Sequence, residues 1–152
     1  MKVSEIIAGQ KLITARMDTR LGEIAEQMGT HHITGVPIVD DWGALAGLVT
    51  ASTLMDLARA WSPSTSIPSD ATWGPVFSAA APTFPWQKLL ASDVMTSDIC
   101  SVMHDADLPV AAKAMVNRGV HRAVVLGKDR NVLGVLSALD VVLLVAEGKL
   151  RE

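Results

Sequence analysis

Cysteine is almost absent from this chain. Cys100 stands alone among 152 residues, so no internal disulfide can form and no cysteine-based metal site is available. A single thiol fits a reducing, intracellular setting. Long apolar runs are missing too. None reaches the roughly 20 residues that a membrane helix needs, and Val141–Ala146 reads instead as a buried helix turn. The first apolar run after Met1 is short and interrupted by Glu5, so no signal peptide is expected. Positive charge is not in excess. A net charge of −3 argues against a general nucleic-acid binder, which needs a basic surface to neutralise phosphates. It leaves room for a local cationic pocket for one small anion. Catalytic signatures are lacking as well: there is no glycine-rich phosphate loop followed by Lys-Ser/Thr, no HExxH helix and no Gly-x-Ser-x-Gly elbow. No catalytic residue, metal site or required cofactor is expected, and the chain reads as a non-enzyme.

What is present is an internal repeat. Residues 14–58 return as residues 101–145 at a constant offset, with Asp18/Asp105, Leu21/Leu108, Ala25/Ala112, Met28/Met115, Gly47/Gly134 and Ala51/Ala138 as identical pairs. The apolar pattern stays in register without a gap. At 49 % hydrophobic residues a sizeable core is available, and the length suits one compact domain. A repeated unit buries one face against its copy, so a globule with pseudo-twofold symmetry is expected. Function belongs in the clefts between the halves, and where the halves differ.

Each repeat spells the same elements. In the first, Val3–Ile7 reads as a short helix and Leu12–Ala15 as a short strand. Asp18 stands where a helix N-cap belongs. Leu21, Ile24, Ala25 and Met28 then form the stripe of an amphipathic helix. Gly35–Val39 and Leu45–Val49 flank the turn residues Asp40-Asp41-Trp42-Gly43 and predict a hairpin. Thr50 caps a second helix running to about Ala60. In the second repeat Ser92–Met95, Ile99–Val102, the helix after Asp105, Ala123–Leu126 and Val132–Leu136 follow in the same order. Ser137 caps a last helix that ends near Gly148. The expected fold is mixed α/β (α+β): two β-α-β-β-α repeats packed through their sheets, with helices outside. The boundaries are 1–60 for repeat one, 61–88 for an insert and 89–152 for repeat two.

The insert differs in character. Trp61 to Lys88 holds five of the seven prolines, three of the four tryptophans and both phenylalanines, with Asp70 and Lys88 as its only charges. Two readings stand: a long connection whose aromatics fold back onto the body, or a flap that binds a partner or covers a dimer. A solvated flexible linker would not carry so many aromatics.

The stretches His31-His32-Ile33-Thr34-Gly35-Val36-Pro37-Ile38-Val39-Asp40 with Gly47-Leu48-Val49-Thr50, and Gly119-Val120-His121-Arg122-Ala123-Val124-Val125 with Gly134-Val135-Leu136-Ser137-Ala138-Leu139-Asp140, resemble a tandem pair of CBS (cystathionine beta-synthase) domains, a Bateman module. The resemblance covers nearly everything except the insert. It implies a regulatory module that binds an adenosine-containing ligand, of the AMP, ADP or ATP type or an S-adenosyl compound, and signals to a partner enzyme or transporter. It also implies a homodimer of CBS pairs.

Ser137-Ala138-Leu139-Asp140 resembles that family's Ser/Thr-x-x-Asp nucleotide signature. Asp140 can accept two hydrogen bonds from a ribose diol. Ser137, at the mouth of a helix, lies beside free backbone N–H groups that favour phosphate. The plainer reading makes Ser137 an N-cap and Asp140 the other half of a capping box. His121 and Arg122 precede the central strand, where Arg suits phosphate oxygens. In family terms Ile99, Cys100 and Val120 flank the adenine, with Cys100 a packing residue and not a nucleophile. In the first repeat the signature is Thr50-Ala51-Ser52-Thr53, and Thr53 cannot supply a carboxylate. A weaker second cleft with Thr50, Thr53, His32 and Thr34 is therefore expected. His31 and His32 do not share a helix face, which argues against a metal site.

The competing reading is a ligand-free dimerisation or docking module. It draws on Thr53, on the insert, and on the Val141–Ala146 helix, whose apolar sides call for cover by a second copy of the chain. The regulated effector is a separate polypeptide or lies outside this sequence. The expected location is the cytoplasm, or the cytosolic face of a membrane protein if the sequence is a fragment.

Overall fold

The computed structural model describes residues 1–61 and 85–150. Most of the insert therefore lies outside the described residues, and the choice between flap and folded-back connection is open over residues 62–84.

The elements in chain order are α1 (Val3–Ile7), β1 (Ala15–Arg16), α2 (Leu21–His31), β2 (Gly35–Val39), β3 (Leu45–Thr50), α3 (Ala51–Trp61), a 3-10 turn (Pro85–Lys88), α4 (Ala91–Val94), β4 (Ser101–Met103), α5 (Leu108–Arg118), β5 (Arg122–Leu126), β6 (Val132–Ser137) and α6 (Ala138–Ala146). The fold is mixed α/β, with two three-stranded sheets ordered β1-β2-β3 and β4-β5-β6. The repeat survives at the level of register. Ala15 pairs with Ile38 and Arg16 with Val39 in parallel; Val102 pairs with Val125 and Met103 with Leu126 in the same way.

The chain forms two compact units that do not follow the linear repeats. One comprises Ile13–Asp41 and Ala46–Ser97; the other comprises Met1–Leu12, Trp42–Leu45 and Asp98–Glu152. The short leading helices are exchanged. Val3 and Ile7 of α1 lie in one core with Leu108, Ala111, Met115, Val125 and Leu136. Ala91 of α4 is buried among Leu21, Ile24, Met28, Val36 and Leu54. The equivalent glycines make room for these helices: a Cβ on Gly47 would lie 2.8 Å from Met95 Cβ, and one on Gly134 would lie 3.0 Å from Ile7 Cδ1.

Trp86 is fully buried in the same core as α2 and α3, and its 3-10 turn packs against both helices. This end of the insert does fold back onto the body. Burying a side chain of that size is worth about 3 kcal/mol or more.

Two local expectations shift and a third holds. Asp18 and Asp105 are not N-caps; the caps are Arg20 and Asp107. Both aspartates sit two residues earlier, in turns closed by Thr19 N–H on Arg16 O and Ala106 N–H on Met103 O. The short strands begin later than their apolar runs, at Ala15 and Ser101, where partners exist on β2 and β5. The last helix ends at Ala146, and Gly148, with φ of 64°, follows in the left-handed region. There Gly148 N–H reaches Val145 O and Lys149 N–H reaches Leu144 O, the paired bonds of a Schellman closure.

Candidate functional site

The expected ligand residues of the second repeat all fall within one unit, at one end of one sheet. Arg122 opens β5 and pairs across the ladder with Ser137, the last residue of β6. Ser101 pairs with Val124 in parallel, so counting back two residues sets Ile99 level with Arg122. Cys100 carries the ladder to this end by accepting from Val124 N–H at 2.9 Å. The carbonyl of His121 accepts from Ala138 N–H at 2.8 Å, which ties the start of α6 to the residue before β5. Val120 follows the left-handed Gly119 that ends α5, its N–H on Met115 O at 3.0 Å. Strand ends and a helix start thus converge beside Arg122 and His121.

Exposure differs among them. His121 and Val120 are exposed, Ile99, Arg122, Ser137 and Asp140 are half-buried, and Cys100 is buried. Burial lowers the pKa of the Arg122 guanidinium: a partly desolvated cation gains by meeting an anion. Burial pushes the Cys100 thiol up, with nearby Arg118 pulling the other way. A thiol held in its neutral form is a packing group. Arg118 escaped the sequence reading. It closes α5, ion-pairs with Asp98 and lies near Cys100; its place in the last turn before Gly119 was the available signal.

Asp140 and Ser137 form a complete capping box. Ser137 N–H donates to Asp140 Oδ2 at 2.7 Å, the Ser137 hydroxyl donates to the same oxygen at 2.7 Å, and Asp140 N–H donates to Ser137 Oγ at 3.2 Å. This is the helix-start geometry that the spacing also allowed. Asp140 Oδ2 and the Ser137 hydroxyl are engaged with each other.

The first repeat repeats the frame and changes the chemistry. Ala51 N–H donates to Thr34 O at 2.9 Å, the counterpart of the Ala138–His121 bond. Thr50 Oγ1 lies 3.2 Å from Thr53 Oγ1 and accepts from Thr53 N–H at 3.3 Å. Two hydroxyls meet where the other unit has a hydroxyl and a carboxylate. His32 ends α2 with φ of 53°, at the position that Gly119 fills in the second repeat. Among the described residues no cluster of three or more His, Cys, Asp and Glu is placed to hold a metal ion.

The family model for the CBS domain matches residues 3–60 and 91–147. The chain belongs to the CBS domain family. Solved CBS structures resemble it over almost all of its length. The CBS domain pair of protein MJ0100, in complex with 5-methylthioadenosine and S-adenosyl-L-methionine, is 21 % identical and covers 97 % of this chain and 98 % of its own, with a TM-score of 0.73. CBSX2 in complex with AMP is 20 % identical over 97 % of this chain and 98 % of its own, with a TM-score of 0.70. The CBS domain of a membrane protein from Sphaerobacter thermophilus is 24 % identical and covers 95 % of this chain and 87 % of its own, also with a TM-score of 0.70. Among curated proteins, an uncharacterized 33.4 kDa protein in the ribosomal RNA operon of Thermofilum pendens is 27 % identical over 96 % of this CBS chain. The chain spans 47 % of that relative's length. No described helix is long and apolar enough to cross a membrane.

Proposed function

We propose that this CBS pair is a regulatory module that binds an adenosine-containing ligand in the second-repeat unit. Arg122 and Ser137 would meet phosphate, Asp140 the ribose diol, and Ile99, Val120 and the backbone at Cys100 the base, with His121 at the rim. The observation that carries this reading is the convergence of Arg122, Ser137 and Asp140 at one sheet end. The neighbours that were solved with AMP or with 5-methylthioadenosine and S-adenosyl-L-methionine support the ligand class. The site around Thr50, Thr53, His32 and Thr34 lacks the carboxylate, and we assign it the weaker role. We retain repeats at 1–60 and 89–152 around the insert. The module acts on a partner enzyme or transporter from the cytoplasmic side and has no catalysis of its own.

Titration calorimetry with AMP, ADP, ATP and S-adenosylmethionine, on protein freed of co-purified ligand, tests this reading. One tight site per chain for at least one of them is expected; no heat with any of the four removes it.

One observation favours a second reading, a module that dimerises. On α6, Leu139 is 74 % exposed, and Val142, Leu143 and Val145 are open to solvent beside it. We infer that a second copy covers this stripe. Sedimentation should show a dimer that Val142→Glu dissociates; a monomer at high micromolar concentration counts against it.

A further inference from the structure

The two groups assigned to the ligand are already spent on each other. Asp140 Oδ2 accepts from the Ser137 N–H and from the Ser137 hydroxyl, both at 2.7 Å. A carboxylate oxygen offers about two lone-pair sites, so Oδ2 is full. A serine hydroxyl has one proton to give, and here it goes to Asp140. A phosphate dianion only accepts hydrogen bonds, and a diol that pairs with both carboxylate oxygens needs Oδ2. Self-capping and ligand contact draw on the same atoms.

We propose that the Ser137–Asp140 capping box is a built-in competitor of the adenosine ligand and opens when that ligand binds. The inference rests on the ligand site assigned above. On binding, Asp140 turns both oxygens to the diol and Ser137 turns its proton to phosphate. Asp140 N–H, now bonded to Ser137 Oγ at 3.2 Å, is released toward the same anion. The first turn of α6 is then capped by the ligand and no longer by itself. Leu139 lies in that turn, and Val142, Leu143 and Val145 follow it on the same exposed stripe. Occupancy is thereby written into the start of the helix that shows its apolar side to solvent. A ligand shifts such an equilibrium only by what it gains in one state over the other, and here the gain is the set of bonds the closed box withholds. The Thr50–Thr53 pair has no carboxylate to exchange, so the first repeat lacks the device.

Calorimetry with two probes separates the roles. Adenosine has the diol without the phosphate; AMP has both. Ser137→Ala removes the hydroxyl that holds Asp140 Oδ2. It is expected to bind adenosine about threefold to tenfold more tightly than wild type, the net worth of one ordinary hydrogen bond, and to bind AMP more weakly. Ser137→Gly keeps helix capping nearly intact and gives the same pattern if the alanine variant folds poorly. Unchanged or weakened adenosine binding in both folded variants overturns the competition while leaving the site standing. Asp140→Ala that binds AMP as well as wild type overturns the site, and the competition with it.

Discussion

The two units share a register and differ in how they are closed. Around α2 and α3 the cover is complete: Leu54 and Trp86 are fully buried and Ala58 is 5 % exposed. At the matching positions of α6, Val141 is half-buried and Val145 is 60 % exposed. The Trp86 turn packs on α2 and α3, and among the described residues no such turn packs on α6. The caps diverge in parallel. One helix starts on two neutral hydroxyls, the other on a hydroxyl and a carboxylate. A duplicated frame has been sealed at one site and left open and charged at the other.

The comparison breaks most visibly at its seal. Trp86→Ala should cost about 3–5 kcal/mol, as truncations of large buried aromatics do, measured by urea unfolding. Amide exchange should rise first in α2 and α3. Equal loosening of α5 and α6 would show that the turn does not close one unit in particular.

Next in size is the carboxylate. Asp140→Ala should lower AMP affinity by about tenfold or more, the worth of charge-assisted hydrogen bonds. Thr53→Ala should leave it within about twofold. Equal losses from both would erase the distinction between the repeats.

Smaller effects come from backbone geometry. Two equivalent positions in each repeat adopt positive φ, and each repeat gives one of them to glycine: His32 (53°) against Gly119 (63°), and Arg130 (60°) against Gly43 (82°). A left-handed residue with a side chain costs about 1–2 kcal/mol, partly offset by the entropy a glycine loses on folding. His32→Gly and Arg130→Gly should each stabilise by about 0.5–1 kcal/mol, while Gly119→Ala should destabilise. Thermal unfolding of the three variants reads the sign directly.

The smallest concerns Lys2 and Asp107, paired at 2.8 Å and largely exposed. The hydrogen bond from Lys2 holds the Asp107 carboxyl below its ordinary range. A lowered pKa contributes stability above the unfolded value, and that contribution is lost as pH falls through the folded one. The bond to Asp107 also raises the Lys2 pKa, so the pair weakens again as strongly alkaline pH strips that proton. Lys2→Met should narrow the gap in unfolding midpoint between neutral pH and about pH 3, and an unchanged gap would dismiss the pair.

Much of this was legible in the residues. The stripe Leu21, Ile24, Ala25, Met28 sits inside as the periodicity requires, and so do Leu108, Ala111 and Met115 of its copy, while Ala112 is half-buried. The caps Thr50 and Ser137 are where the hydroxyls pointed. Asp18 and Asp105 misled because aspartate suits turns as well as caps, and each sits in a four-residue turn whose closing bond the sequence does not display. The exchange of α1 and α4 was invisible for a different reason. A helix of four or five residues has too little pattern to name its partner, and the choice is made by the space at Gly134 and Gly47. At the site, spacing alone could not tell a ribose acceptor from a capping residue, because both require Asp140 three residues after Ser137.

The exchanged helices also set an order of events during synthesis. Residues emerge from the N-terminus first and domains fold as units, yet Val3 and Ile7 find their core only with Leu108, Met115 and Leu136. The opening segment must wait, unsatisfied, until Leu136 has been made. The other unit cannot finish before Ala91 has been made. A cut anywhere in the insert would yield two pieces, each holding a helix that completes the other's core.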